Sequence, residues 1–284
     1  MERNVLVGVD LGGTNIRAGR VETGLIVNIH EQAVSAQAAE EVVCREVMAS
    51  ISRVFTDKTQ GIGVAVPSVV DPDRGIVYAV ENIPSWQEVH LKEILEKEFG
   101  VPVSINNDAN AFALGELYFG SGKGVSNLVG LTVGTALGAG IIIAGKLYNG
   151  NNCGAGEIGC IPYKEKTLEY HCSGTGMMHN YGIGGKELFL RASGGDESAL
   201  SILHKFGKIM GDAIAIVILA YDPEMIVIGG SVSRSFSFFE PGMWERLASF
   251  PYQNSLKKLR IEPTLDTRIP VLGAAALHLD TLKK

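Results

Sequence analysis

Apolar residues occupy consecutive positions from Val5 to Val9, and the run stops at Asp10 and a pair of glycines. A short, continuous apolar run that ends on a turn signal predicts a buried strand. Beyond Gly12-Gly13-Thr14, polar and apolar residues alternate from Asn15 to Val21, so the chain leaves the turn as a second strand and not as a helix. A third strand around Leu25–Glu31 completes an antiparallel meander. The period then lengthens, and Val43, Val47, Ile51 and Val54/Phe55 share one face of a helix. Gly61–Val66 predicts a short strand ending at Pro67, and Leu91, Ile94, Leu95 and Phe99 mark a helix stopped by Gly100 and Pro102. Val103–Ile105 predicts a strand running into Asn106-Asn107-Asp108, where Asn107 or Asp108 caps a helix over Ala109–Tyr118.

The second half repeats this plan. Val129-Gly130-Leu131-Thr132-Val133-Gly134-Thr135 echoes Val7-Gly8-Val9-Asp10-Leu11-Gly12-Gly13-Thr14, with valine, glycine, apolar, polar, apolar and glycine in the same order. A strand over Leu128–Val133, a glycine turn and a strand over Ala139–Ala144 precede a loop-rich stretch to about Cys172. A long helix from Glu197 to Tyr221 turns Leu200, Leu203, Phe206, Met210, Ile214, Val217 and Ile218 to the core. Met225–Ile228 is a strand ending in Gly229-Gly230, and Val271–Leu277 opens a final helix. Two related α/β units are expected, with the change of unit near Gly120–Gly124.

Composition narrows the classes of partner. Formal net charge is −6 and no Lys/Arg cluster exceeds the pairs Lys257-Lys258 and Lys283-Lys284, which argues against nucleic acid. The most apolar run, near Ile214–Leu219, is too short to cross a bilayer, so no membrane partner is expected. Met1–Asn4 leads straight into the first strand, which is read as leaving no room for a signal peptide or an added DNA-binding domain. Four cysteines in 284 residues do not form a disulfide framework, so reduced thiols and a cytoplasmic location are expected.

The paired glycine turns point to nucleotide phosphate, because bare backbone N–H groups are good partners for phosphate oxygens. Gly12, Gly13, Gly134 and Gly138 could equally be hairpin glycines, and only their duplication argues for more. Thr14 and Thr135 each offer a hydroxyl, or are β-branched residues entering a strand. Asp10 would repel phosphate unless Mg²⁺ lay between them; the alternative is a turn aspartate bonding its own backbone. Asp108, at a strand-to-helix junction, is either a base that accepts a hydroxyl proton or a simple N-cap. Asn82, Asn107, Glu157 and Glu169 supply the amides and carboxylates that a hydroxyl-rich ligand needs, with Trp86 as a candidate aromatic neighbour. Cys153, Cys160, His171 and Cys172 share one stretch, but they lack a Cys-x-x-Cys pair and two of them are adjacent. Buried thiols and an ordinary histidine are expected there, not zinc.

These residues resemble the ROK family (repressor, open reading frame, sugar kinase) of the hexokinase–actin–Hsp70 ATPase superfamily, nearly end to end. Asp10-Leu11-Gly12-Gly13-Thr14-Asn15 is similar to its first phosphate motif and Val133–Gly140 to its second. Pro223–Gly230 resembles the adenosine-contacting segment, Asn82–Trp86 and Asn107–Asn110 the sugar-site motifs, and Glu157-Ile158-Gly159 a further sugar element. The resemblance implies two ribonuclease-H-like (actin-like ATPase) domains around a central cleft. It assigns residues 1–118 to a small N-terminal domain, joined by a C-terminal helix 273–284, and 119–272 to a large domain. It implies ATP and Mg²⁺ as cofactors, with Asp10, Gly12, Gly13, Thr14, Asn15, Gly134, Thr135, Gly229 and Gly230 around them. Asp108 becomes the base, and Asn82, Asn107, Glu157 and Glu169 contact a hexose or N-acetylhexosamine; a homodimer is also implied. Glucokinase, fructokinase and N-acetylmannosamine kinase activities all fall within the resemblance. Cys160 stands where the family usually has histidine, the zinc-binding cysteine run is missing, and Pro67-Ser68-Val69 replaces the commoner Pro-Gly-Pro. No zinc site is therefore expected, and the sugar stays open.

Overall fold

The structure, a computed structural model, describes residues 4–282. Residues 1–3 and the Lys283-Lys284 pair, with which the expected helix 273–284 would end, lie outside the described residues. The chain divides into two compact units. The first runs to Gly124 and also takes in Lys146–Ala155 and the residues from Asp266 onward; the second comprises Val125–Gly145 and Gly156–Leu265.

In the first unit, β1 (Val5–Leu11), β2 (Asn15–Glu22) and β3 (Leu25–Ala33) form the expected meander. The helix Glu40–Ser52 follows, then β4 (Gly61–Val66). The short strands β5 (Val70–Asp71), β6 (Ile76–Tyr78) and β7 (Glu88–Val89) make a small sheet of their own. The helix Leu91–Phe99 ends on Gly100, and β8 (Val103–Asn107) feeds the helix Asp108–Tyr118. The main sheet has the order β3-β2-β1-β4-β8, with β4 parallel to both β1 and β8. Val7, Val9, Leu11, Val64 and Val66 from its strands join Val43, Val47 and Ile51 of the first helix in one core.

The C-terminal helix Ile269–Thr281 also belongs to the first unit, and it lies very close to the sheet. A Cβ at Gly8 would stand 2.0 Å from the Val271 carbonyl oxygen, and one at Gly63 would stand 1.7 Å from that of Ala274. Any side chain at either position would lift the helix off the sheet.

The second unit opens on β9 (Leu128–Val133) and β10 (Leu137–Ile143), an antiparallel hairpin. Met225–Gly229 lies parallel to β9 and carries Arg260–Pro263, also parallel, on its other side. The order β10, β9, Met225–Gly229, Arg260–Pro263 thus repeats the first unit's β2-β1-β4-β8, as the sequence echo predicts. Leu203, Phe206, Met210, Ile214, Val217 and Ile218 of the helix Glu197–Tyr221 are buried with Leu131, Ile226 and Ile228. Leu200, expected beside them, is only partly buried. The stretch to Cys172, expected to be loop-rich, includes the short helix Leu168–Cys172, capped by Thr167.

Candidate functional site

In the first unit, the β1–β2 register sets Asp10 opposite Arg17. Arg17 donates from Nη2 (2.6 Å) and Nε (3.2 Å) to one oxygen, Asp10 Oδ2, and from Nη1 to the Thr267 carbonyl (3.2 Å). The turn between the strands is closed by the Gly12 N–H donating to the Asn15 carbonyl at 2.9 Å. The Asn15 side chain donates to Glu31 Oε1 on β3 at 3.3 Å, so it is engaged within the sheet. Thr14 is exposed. A Cβ at Gly13 would stand 2.8 Å from Asn82 Cβ, so the first turn and Asn82 are in close contact.

Asn107 has an extended backbone and is the N-cap of the next helix: its Oδ1 accepts from the Ala109 N–H at 2.8 Å. Its Nδ2 donates to the Ser68 carbonyl at 3.3 Å, and the Ser68 hydroxyl in turn donates to the Tyr78 carbonyl. Asp108 is the first helical residue and is exposed, and its Oδ1 also accepts from the Ala109 N–H (2.8 Å). A carboxylate there is favoured by the positive end of the helix dipole. Capping and an outward-facing carboxylate therefore coexist in adjacent residues.

Behind this junction lies a cluster that the sequence reading did not single out. Asn106 is 4% exposed, and its Oδ1 accepts from Asn107 N (2.8 Å), Asn110 Nδ2 (2.9 Å) and Cys153 Sγ (3.1 Å). Its Nδ2 donates to Asn149 Oδ1 at 3.0 Å. The spacing of Asn106 and Asn110 across a predicted strand-helix junction was a usable signal; nothing in the sequence ties Asn149 or Cys153 to them. Trp86, considered above as a neighbour for a sugar, is fully buried in the core of the unit. Its indole is a packing element with no face for a ligand, which corrects that expectation.

In the second unit, the Gly134 N–H donates to the Ala136 carbonyl at 3.0 Å, and the Gly134 carbonyl accepts from the Gly174 N–H at 2.7 Å. Thr135 is exposed. A Cβ on Gly134 would meet only Ser231 Oγ, 3.9 Å away. Gly229 pairs with Thr132, and Gly230, at φ +86°, comes so close that a Cβ would stand 2.4 Å from the Val133 carbonyl oxygen. The structure thus brings Gly134 and Gly229-Gly230 together at the end of β9. Elsewhere in the unit, Glu169 Oε2 accepts from the Leu137 N–H at 3.0 Å. Partial burial first, and the Glu169 carboxylate second, push the Glu157 carboxyl above its ordinary range. Burial, then Glu157 and Glu169, raise the Cys160 thiol. Glu157, Cys160 and Glu169 therefore form one electrostatic group.

Cys153 and Cys172 are buried as expected, whereas Cys160 is exposed, which corrects the expectation of a buried thiol there. It closes the short 3-10 turn Ile158–Cys160, whose other two residues take the buried positions. Among the described residues, no group of three or more His, Cys, Asp or Glu side chains could hold a metal ion. Mg²⁺ asks for less from a protein, since it takes one or two carboxylates together with substrate phosphates and water. Asp10 fits that demand as an oxygen donor, although Arg17 already holds one of its oxygens.

Two hairpins with glycine turns, each beside a parallel strand, and an Asn-Asp pair at a strand-helix junction define a sugar-kinase-like α/β protein. The chain belongs to the ROK family, whose model matches residues 6–281. It is 32% identical over 272 residues to a glucokinase of Thermotoga maritima, covering 83% of this chain and 84% of that one. It is also 30% identical over 252 residues to a xylose repressor of Caldicellulosiruptor bescii, covering 78% of this chain and 63% of the repressor. Among solved structures it matches a ROK family glucokinase from Streptomyces griseus in complex with glucose and AMPPNP. That match has a TM-score of 0.82 and 26% identity, and covers 96% of this chain and 99% of the other. Among the described residues, no helix is long and apolar enough to cross a membrane.

Proposed function

We propose that this chain is an ATP-dependent hexose kinase, glucokinase-like, which transfers the γ-phosphate of ATP to a sugar hydroxyl. The observation that carries the reading is the Asn107–Asp108 junction. Asn107 is fixed on both sides, by Ala109 N–H and by the Ser68 carbonyl, while the adjoining Asp108 carboxylate is exposed at a rigid helix start. Phosphoryl transfer to an alcohol needs positioning, charge neutralisation and a base for the departing proton. In this reading Asp108 takes that proton, and Asn82, Asn107, Glu157 and Glu169 bind sugar hydroxyls. Gly12, Gly13, Thr14, Asn15, Gly134, Thr135, Gly229 and Gly230 line the nucleotide. Mg²⁺, held at Asp10 directly or through water, would neutralise phosphate charge when bound.

The test is ADP release by the purified protein against a panel of hexoses and N-acetylhexosamines, with Asp108→Asn alongside. Asp108→Asn keeps ATP and sugar binding and lowers kcat by roughly 10²- to 10⁴-fold. Near-normal turnover in that variant ends the assignment of the base. The repressor relative favours a second reading, a sugar-binding regulator without turnover. Sugar-dependent ADP release excludes it; sugar binding without ADP release establishes it.

A further inference from the structure

We infer that Asn106 is a positioning residue: it braces the junction that presents Asp108 and fastens the Asn149–Cys153 stretch to it. The inference rests on the reading of Asp108 as the base. Asn106 is the last but one residue of β8, just before Asn107, and its single amide reaches four partners. The bond from the Asn107 N–H fixes the peptide plane that enters the cap. The bond from Asn110 ties the first turn of the Asp108 helix back to the strand that feeds it. Strand end and helix start are thus cross-braced from inside, at a buried position where hydrogen bonds are strong and an unpaired group is costly. The remaining two arms hold Asn149 and Cys153. Cys153 is kept at φ +56°, a conformation that a non-glycine residue adopts only where its surroundings impose it. Asp108, exposed at the helix start, takes its direction from this braced turn. A displacement of about 1 Å at a reacting group costs about 10²-fold in rate, so the brace matters to turnover and not only to stability.

The experiment is a double-mutant cycle of Asn106→Ala with Asp108→Asn, together with amide hydrogen exchange. Asn106→Ala is expected to lower kcat about 10- to 100-fold while the KM for ATP stays within about twofold. On the Asp108→Asn background the same change is expected to cost about nothing, because the group it aims has lost its role. Should Asn106→Ala fold poorly, Asn149→Ala, at a partly exposed position, removes one arm; it is expected to lower kcat about three- to tenfold, again only when Asp108 is present. Exchange at Asn107–Asn110 is expected to quicken more than tenfold in either variant, with β1 and β4 unchanged. An unchanged kcat per folded molecule, or an equal loss on both backgrounds, overturns the inference. Wild-type protein that releases no ADP with any sugar overturns the kinase reading instead. In that case exchange decides the brace, and amides at the junction that stay protected overturn it.

Discussion

The turn at Gly12 and the turn at Gly134 share a sequence pattern and the same kind of closure, a glycine N–H donating to a carbonyl two or three residues on. Their surroundings differ. The first is filled from within: Asn82 presses on Gly13, and an Arg17–Asp10 ion pair spans the strands that lead into it. The second is more open: among the described residues, chain neighbours aside, only the Ser231 hydroxyl lies within 4 Å of where a Gly134 side chain would start. Glycine at the first turn makes room for another part of the protein, whereas a side chain at Gly134 would meet no such close neighbour. In the place of Asp10, the second hairpin carries the uncharged Thr132. One recurring pattern thus sits in two different surroundings.

The sharpest way to break this contrast is to add the same methyl group to both turns. Gly13→Ala drives a Cβ into Asn82 and is expected to destabilise the protein by about 1–3 kcal/mol, read as a lower urea midpoint. Gly134→Ala is expected to leave stability within about 0.5 kcal/mol and, on the proposal that this turn binds phosphate, to raise the KM for ATP about tenfold. Equal destabilisation by the two changes would erase the distinction.

A smaller effect is expected from the ion pair that only the first turn has. Arg17→Met removes a cation that competes for Asp10, an interaction of about 0.2–1 kcal/mol for a partly exposed pair. The Mg²⁺ concentration for half-maximal turnover should then fall about 1.5- to 5-fold. A rise would mean that Arg17 orients Asp10 instead of competing for it.

The smallest expected effect concerns His278, beneath Gly61 in the first unit, whose ring burial lowers its pKa from 6.5. The unfolded chain binds a proton there at a higher pH than the folded one. Stability is therefore lost as pH falls below 6.5 and through the lower folded value. Between pH 7.5 and 5.5, wild type should lose up to about 1 kcal/mol more than His278→Gln, by urea unfolding at each pH. An equal loss in both proteins would remove His278 from the account.

Elements with one dominant period were legible in the sequence. β1, β4 and the helix Glu197–Tyr221 repeat apolar residues without interruption, and the structure bears them out. The helix Phe236–Leu247 was not legible. It carries Pro241 inside it and opens on Phe236-Ser237-Phe238-Phe239, which matches neither a helical nor a strand period cleanly. Trp86 was misread because aromatic rings serve cores and sugar sites alike, and only burial separates the two. The residues Asn107 and Asp108 could be picked out because capping and catalysis both favour them at such a junction. Of the Asn106 cluster, only the Asn106–Asn110 spacing was visible, since the bonds to Asn149 and Cys153 depend on a contact far along the chain.

The closeness of Gly8 and Gly63 to the helix Ile269–Thr281 has a consequence for synthesis. Strands β1 and β4 receive their cover from a helix that is made only after the second unit. All of the second unit is translated in between, so its chain is complete while the glycine-floored face of the first sheet is still bare. Translation that halts before Ile269 leaves that face open, and an uncovered apolar sheet is what nascent-chain aggregation feeds on. The first unit therefore cannot close its core until the chain has passed Thr281, after the whole of the second unit.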